Sequence, residues 1–304
     1  MNLFLVGSLL LFAAACSPFH KDSLYNENKA QGIIGGKYVP ENSTIGASTV
    51  GIFDMENQSA CTGTLISESV IITAAHCLTT KPQNLRVVFG NELSATLNAR
   101  EPDIQSEFVR RATAILSHPA YTGDEEKPSE WNDIGLIQFA GKLPTGYKPV
   151  QFLHDELLLT KGTEVTMAGY GVTHVRIENI NEKKFPNLKK AIESGDITCD
   201  EPEVGEKQKC YKIDFQGEDD LLMTTAILES LLPSEIRLDE SNGHGTCVGD
   251  SGGPAFIQHQ GQYYFFGITS RGSYACDNHG IYTNALYFKT WIDDSLKLFK
   301  AGSK

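Results

Sequence analysis

Short apolar runs, separated by turn-forming residues, recur along the chain from residue 33 onward. The runs have the length of single strands, and their spacing indicates an all-β sandwich or barrel. Before residue 140 they cover residues 49–53, 63–66, 70–73, 85–89, 111–116 and 134–139. A further run at residues 263–268 predicts a buried strand in the second half of the chain.

The segment at residues 172–240 does not follow this pattern. Its charge changes from lysine-rich at residues 183–190 to acidic at residues 193–206. Within it, residues 219–232 carry leucines at the spacing of one helix face. These leucines are Leu221, Leu222, Leu228, Leu231 and Leu232. We interpret residues 172–240 as a surface insertion, with an exosite that selects partners as the alternative.

The N-terminal residues have the pattern of an export signal. Leu3 to Ala15 form an apolar run that is too short to span a bilayer. Ala13-Ala14-Ala15 fits a signal-peptidase cleavage site, while the same residues followed by Cys16 resemble the lipobox of bacterial lipoproteins, whose cysteine is lipidated. We therefore predict a signal peptide over residues 1–16 and a polar tether or propeptide over residues 17–32.

The cysteines bear on the choice between these two forms of processing. The chain has seven, so they cannot all pair with one another. Lipidation of Cys16 leaves an even number, and this favours the lipid anchor. Strand-like runs flank Cys199 and Cys210, which predicts a disulfide across a local hairpin. Either form of processing exports the chain into an oxidising compartment, as an extracellular protein or at the cell envelope.

Net charge narrows the range of partners. The 304 residues carry a formal charge of −12 without a basic stripe, which argues against a nucleic-acid partner. The sequence has no metal-ligand spacing, so we expect neither a metal nor a cofactor. We expect contact with a membrane only through a lipid on Cys16.

The candidate chemistry centres on Gly249-Asp250-Ser251-Gly252-Gly253. A serine flanked by glycines allows neighbouring N–H groups to point at a developing oxyanion, as acyl transfer requires. The same pattern also occurs in α/β-hydrolases, but their aspartate and histidine follow the serine. Here His76 and Asp133 precede Ser251, and the upstream chain has short strands.

This order, with Thr73-Ala74-Ala75-His76-Cys77 and Asn132-Asp133-Ile134 around the two upstream residues, resembles the trypsin/chymotrypsin family of serine endopeptidases. The resemblance implies a domain over residues 33–304 with two packed six-stranded antiparallel β-barrels and a C-terminal helix within residues 286–299. It also implies roles for the candidate residues. Ser251 would be the nucleophile, His76 the base and Asp133 its orienting partner, with an oxyanion hole formed by the N–H groups of Gly249 and Ser251.

Ile33-Ile34-Gly35-Gly36 resembles the mature N-terminus of that family. By the resemblance, a cut before Ile33 frees an α-amino group that pairs with Asp250 and orders the active site. The family has Arg or Lys before the cut, whereas this chain has Gly32. We therefore expect a zymogen whose activating protease is not trypsin-like.

The resemblance also implies disulfides Cys61–Cys77 and Cys247–Cys276, and it assigns the specificity pocket to Gly245, Ser270, Gly272 and Gly280. Gly245 would form the floor, where a trypsin has Asp, so the pocket is predicted to be open, uncharged and selective for large apolar side chains. Two nearby residues leave other substrate preferences open. Asp277 would supply a displaced negative charge to the pocket, and His244 would favour acidic substrate side chains. Arg271 replaces an aromatic residue that lines the neighbouring subsites.

The sequence therefore predicts a monomeric, exported serine endopeptidase acting on proteins or peptides. A proteolytically silent binding protein of the same fold is the alternative.

Overall fold

The computed structural model of the chain consists mainly of antiparallel strands. It describes residues 33–40, 42–100, 107–123, 131–181, 187–193, 197–199, 208–217, 219–273 and 275–302. The predicted signal peptide and tether lie outside these residues. No helix in the described part of the chain has the length and apolar character needed to cross a membrane.

The first barrel is formed by the strands predicted before residue 140. They are β2 (Thr49–Asp54), β3 (Ser59–Ser67), β4 (Val70–Thr73), β5 (Leu85–Val88), β6 (Val109–Ser117) and β7 (Gly135–Phe139), which follow the two-residue β1 (Lys37–Tyr38). They close in the order β2-β3-β4-β7-β6-β5. Every residue of β4 is buried, and β-branched side chains such as those of Val70 and Ile71 pack well on a pleated surface.

The second barrel uses β8 (Glu164–Gly169), β12 (Leu222–Leu231), β13 (Glu235–Asp239), β14 (Pro254–His259), β15 (Gln262–Gly272) and β16 (His279–Asn284). These six strands follow one another in the order β12-β13-β16-β15-β14-β8, and pairing of β12 with β8 closes the barrel. β1 pairs with the first two residues of β12, Leu222 and Met223. The predicted fold, two six-stranded antiparallel barrels, is confirmed.

A shared apolar core holds the barrels together. Ile72 and Ile134 of the first barrel belong to the same buried cluster as Ala168 and Phe256 of the second. Ile292 of the C-terminal helix, which spans Lys289–Gly302, also packs into this cluster. Burying a large apolar side chain contributes roughly 1.5–3 kcal/mol, so this shared cluster stabilises the packing of one barrel on the other, with a crevice between them.

The segment at residues 172–240 is divided between the second barrel and a separate small sheet. β9 (His174–Ile180), β10 (Thr198–Cys199) and β11 (Cys210–Gln216) form that sheet in the order β10-β11-β9. A short helix, Leu188–Glu193, lies between β9 and β10; two other short helices span Thr44–Ser48 and Leu93–Leu97. The predicted insertion is therefore shorter than the sequence indicated, because β12 and β13 are barrel strands.

The leucines at residues 219–232 have the spacing of one helix face, but this segment does not form a helix. Residues 222–231 form strand β12, whose backbone pairs with β8 and β13. Leu222 and Leu228 are buried in the barrel, whereas Leu231 and Leu232 are 39% and 50% exposed near the end of the strand. The helical pattern arose because inward-facing strand positions were combined with exposed leucines at a turn.

Candidate active site

Ser251 lies in the loop between β13 and β14, and strand β3 of the other barrel holds this loop. The Thr62 N–H donates to the Ser251 carbonyl at 2.8 Å, and the Thr62 hydroxyl donates to the Gly249 carbonyl at 2.9 Å. Gly252 has a φ of +82°, and a Cβ there would collide with the Thr73 hydroxyl. Only glycine allows this close approach, which places Ser251 beside the end of β4.

His76 and Asp133 meet across the first barrel. His76 follows β4 in a 3₁₀ turn, Ala75–Cys77, and Asp133 lies two residues before the start of β7, the neighbour of β4. The His76 Nδ1 atom lies 2.8 Å from Asp133 Oδ2, and the His76 N–H donates to Oδ1 at 3.0 Å. Two contacts to one carboxylate orient the imidazole so that Nε2 is the nitrogen left for proton transfer.

The second barrel adds a third donor to Asp133. Ser270 Oγ donates to Asp133 Oδ2 at 2.6 Å, and the carboxyl group is 1% exposed. Burial alone would raise the pKa of the Asp133 carboxyl, but the hydrogen bonds and charge of His76 and the Ser270 hydroxyl hold it below its usual value. Asp133 is therefore a charged partner for the imidazole at neutral pH.

Ser251 shares a cavity with Ser270 but has no hydrogen bond to His76 among the described residues. Hydrogen bonds of this kind are often long in an unliganded site. The N–H groups of Gly249 and Ser251 donate to no described residue, so both remain available to an oxyanion. Gly249 has a φ of +98°, a conformation that favours glycine.

The cavity next to Ser251 has a volume of about 190 Å³ and is lined by two predicted pocket residues, Ser270 and Gly272. The other two, Gly245 and Gly280, do not face open space. Both pack against the side chain of Glu240, which is 1% exposed. A carboxyl group from the end of β13 therefore lies against two of the residues assigned to the pocket, and the apolar preference inferred from Gly245 stays a prediction.

The other residues considered for the pocket point elsewhere. His244 Nδ1 lies 3.1 Å from the Gly35 carbonyl, and Asp277 accepts from the Ser273 hydroxyl at 3.2 Å on the surface. The Arg271 guanidinium pairs with Glu235 at 3.0 Å and stacks 4.4 Å from the centre of the Trp131 ring.

The three expected disulfides are present. Cys61–Cys77 links β3 to the turn that carries His76, and Cys247–Cys276 joins the Ser251 loop to the loop before β16. Cys199–Cys210 crosses the separate small sheet. Donor atoms of Cys61, His76 and Cys77 lie within 4.8 Å of one another, but both sulfurs are bonded in the disulfide and so do not form a metal site.

The predicted activation segment lies against the Ser251 loop. Ile33 is fully buried, and Ile34 forms an isolated bridge with Gly245. The Asp250 carboxylate is also fully buried and accepts the N–H groups of Gly171 and Cys247 at 2.8 and 2.9 Å. Burial raises the pKa of Asp250 to about 7 despite these donors, with Glu240 adding to the effect.

Two closed six-stranded barrels with this crevice between them are the architecture of the two-barrel serine proteases. Comparison with known proteins agrees: residues 33–292 match the trypsin family, and the chain belongs to that family. Similar proteins include mouse kallikrein-8, 28% identical over 78% of this chain and 76% of the relative, and rat serine protease 1, 27% identical over 87% and 89%.

A mosquito relative, CLIP domain-containing serine protease B4 of Anopheles gambiae, is 29% identical over 78% of this chain. The alignment covers 62% of that protein's length. These relatives come from mouse, rat and mosquito, and they give no support to the bacterial origin that the lipobox suggested.

Sequence reasoning missed Glu240, Glu235 and Thr62. The signal for Glu240 was an acidic residue at the end of an apolar strand, directly before a glycine-containing loop that leads to the serine motif. Its contact with Gly280 depends on the pairing of β13 with β16, which no local pattern contains.

Proposed function

We propose that this protein is a serine endopeptidase that hydrolyses peptide bonds through an acyl-enzyme. Ser251 Oγ attacks the substrate carbonyl carbon while its proton passes to His76 Nε2, and the carbonyl electron pair moves to oxygen. The N–H groups of Gly249 and Ser251 stabilise that oxyanion; one such donor contributes about 3–4 kcal/mol to the barrier reduction. Collapse expels the amine, which takes the proton from His76.

A water molecule completes the cycle. It attacks the acyl carbon while His76 takes its proton, and the proton then returns to Ser251 as the carboxylic acid leaves. Asp133 orients His76 and stabilises the imidazolium in both halves. The observation that carries this proposal is the buried Asp133 carboxylate bonded to His76 from one barrel and to Ser270 from the other. No metal or cofactor takes part in the proposed steps.

We also propose that the chain is made as a zymogen and activated by a cut before Ile33. Ile33 has a φ of +44°, which is strained for a β-branched residue, and cleavage would release that angle. The freed ammonium would pair with Asp250, whose buried carboxylate has no ion-pair partner among the described residues. Because Gly32 precedes the cut, the activating protease is expected to be non-tryptic.

The disulfides fit an exported protein. We propose that residues 1–16 direct export, that Cys16 carries the lipid, and that activation releases a monomeric catalytic domain from the cell envelope. The measurement is membrane fractionation of the wild-type chain and its Cys16→Ser variant. Membrane association of the variant equal to that of wild type would contradict lipidation.

Labelling with a fluorophosphonate that reacts with activated serines tests the proposed function. The full chain is prepared with an enteropeptidase recognition sequence directly before Ile33, so that cleavage yields the intended terminus. We expect strong labelling after cleavage and weak labelling before it. Ser251→Ala should not react, whereas Ser241→Ala should react like wild type, because Ser241 bonds an exposed carboxylate outside the site.

Each part of the proposal has its own contrary result. An unlabelled wild-type chain after cleavage would indicate a proteolytically silent binding protein. Equal labelling before and after cleavage would contradict the zymogen, and labelling of Ser251→Ala would contradict the nucleophile.

A further inference from the structure

Glu240 is a buried acid that packs against Gly245 and Gly280, two of the residues assigned to the substrate pocket. It directly follows β13, and its N–H donates to the Asn278 carbonyl at 2.9 Å, which fixes the backbone beside β16. The side chain turns inward, and the residue is 1% exposed. Its carboxylate is therefore held at a defined place in the second barrel.

Two glycines make room for this side chain. A Cβ on Gly245 would lie 2.8 Å from both Cβ and Oε2 of Glu240, and a Cβ on Gly280 would collide with Oε1. Side chains at these two positions would occupy the space that the Glu240 carboxylate now fills. The carboxyl group at this place therefore comes from the residue after β13, and not from the predicted floor residue Gly245 or the predicted wall residue Gly280.

The carboxylate is connected to the open cavity through Thr246. This residue lines the cavity of about 190 Å³ that also contains Ser251. The Thr246 hydroxyl donates to Glu240 Oε1 at 3.2 Å, and the Tyr282 hydroxyl donates to the same oxygen at 2.7 Å. A long side chain entering the cavity would meet Thr246 first and Glu240 directly behind it.

Within the described residues, Glu240 forms no ion pair; its side-chain donors are the hydroxyls of Thr246 and Tyr282. Burial raises the pKa of the Glu240 carboxyl to about 7 against those hydrogen bonds. A cation would stabilise such a buried carboxylate more than another neutral donor would. It would favour the ionised form of the carboxyl group and offset the free energy lost when that group is removed from water.

We propose that Glu240 determines substrate specificity, and that it selects a lysine or arginine side chain on the acyl side of the scissile bond. This inference rests on the proposed endopeptidase function and replaces the apolar preference predicted from Gly245. An ammonium has three donors and a guanidinium five, enough to bind Thr246 Oγ1 and the Glu240 carboxylate together.

Matched peptide substrates that differ only in Arg, Lys, Phe or Leu before the scissile bond test this inference. The enzymes are the cleaved wild type, Glu240→Gln and Asp239→Asn, the last being a control at the adjacent acid, which bonds Ser241. We expect wild type to prefer Arg and Lys. Glu240→Gln should lose about 10- to 150-fold in kcat/KM on those substrates, the range for one charged hydrogen bond, and little on Phe.

A measurement on wild type keeps the inference testable if Glu240→Gln does not fold. The ratio of kcat/KM for the Arg substrate to that for the Phe substrate should fall as pH drops below about 7, because Glu240 becomes protonated. Effects on the catalytic residues cancel in this ratio. Tyr282 and Asp250 are the titratable described residues that interact with Glu240.

The outcomes separate the inference from the function on which it rests. A fluorophosphonate-labelled wild type that prefers Phe or Leu would overturn the inference and leave the endopeptidase standing. Equal losses on all four substrates in Glu240→Gln would also overturn it, since they indicate a structural role. An unlabelled wild type would overturn the proposed function and this inference with it.

Discussion

The Gly245 N–H donates to the Ile34 carbonyl at 3.1 Å, so the segment at the proposed cleavage site is hydrogen-bonded to the floor of the proposed substrate pocket. Gly245 also packs against Glu240. Asp250 lies in the same loop and interacts electrostatically with Glu240. We therefore expect an ammonium freed at Ile33 to act on both buried acids.

The uncleaved chain should become less stable as pH rises from about 4 to about 7. Folding raises the pKa of Asp250 and of Glu240 to about 7 each, so the native state binds more protons than the unfolded state in this window. Each group then lowers the free energy of unfolding by about 4 kcal/mol at most, an order-of-magnitude figure. Thermal unfolding followed across pH measures the effect.

Asp250→Asn is the control for this prediction. It should reduce the slope of stability against pH, whatever its effect on stability at a single pH, because an amide does not titrate. In the chain cleaved before Ile33, the wild-type slope should also be smaller, since the new ammonium offsets the charge on Asp250. An unchanged slope after cleavage would argue against the Ile33–Asp250 pair.

Ser270→Ala should lower kcat/KM by about tenfold or more. The change removes a hydroxyl donor from the buried Asp133 carboxylate, and a hydrogen bond to a charged group contributes about 1.5–3 kcal/mol. The pKa of Asp133 should rise as a result, so the loss should grow at acidic pH. Ser241→Ala is a matched control, because its hydroxyl also donates to a carboxylate at 2.6 Å but on the surface. Activity equal to wild type at acidic pH would contradict a role for Ser270.

Arg271→Met should destabilise the protein by about 3–5 kcal/mol, because it leaves Glu235 buried without its cation. The pair has side chains that are 19% and 8% exposed. Arg237→Met is the comparison, since the pair of Arg237 with Glu229 is 43% and 42% exposed and should contribute about 1 kcal/mol or less. Urea unfolding of the two variants should show this difference. Equal losses would mean that burial does not decide the strength of these pairs.

Replacing both cysteines of Cys61–Cys77 by serine should cost about 3 kcal/mol and reduce activity, because that bridge closes a loop of 16 residues and anchors His76. The same change at Cys199 and Cys210 should have a smaller effect on thermal unfolding of the barrels, since that bridge lies in the separate small sheet. A larger loss from the second pair would indicate that the small sheet supports the barrels.

The strand-length apolar runs, a local property of the printed chain, predicted an all-β sandwich or barrel, and the resemblance of the motifs to the trypsin/chymotrypsin family implied two six-stranded barrels. The sequence also identified His76, Asp133 and Ser251 as candidates from their order, and it anticipated the three disulfides. It failed at residues 219–232, where the choice between helix and strand depended on pairing with β8 and β13 rather than on leucine spacing.

Only the tertiary structure places a buried carboxyl group against two of the predicted pocket residues. Gly245 indicated an uncharged floor, and Gly280 an open wall, as long as each position was judged from its own side chain. Pairing of β13 with β16 brings Glu240 against both glycines, and the absence of their side chains is what gives its carboxylate room. A charge supplied by a third residue depends on strand register across the barrel, and register is a long-range property that a local motif does not encode.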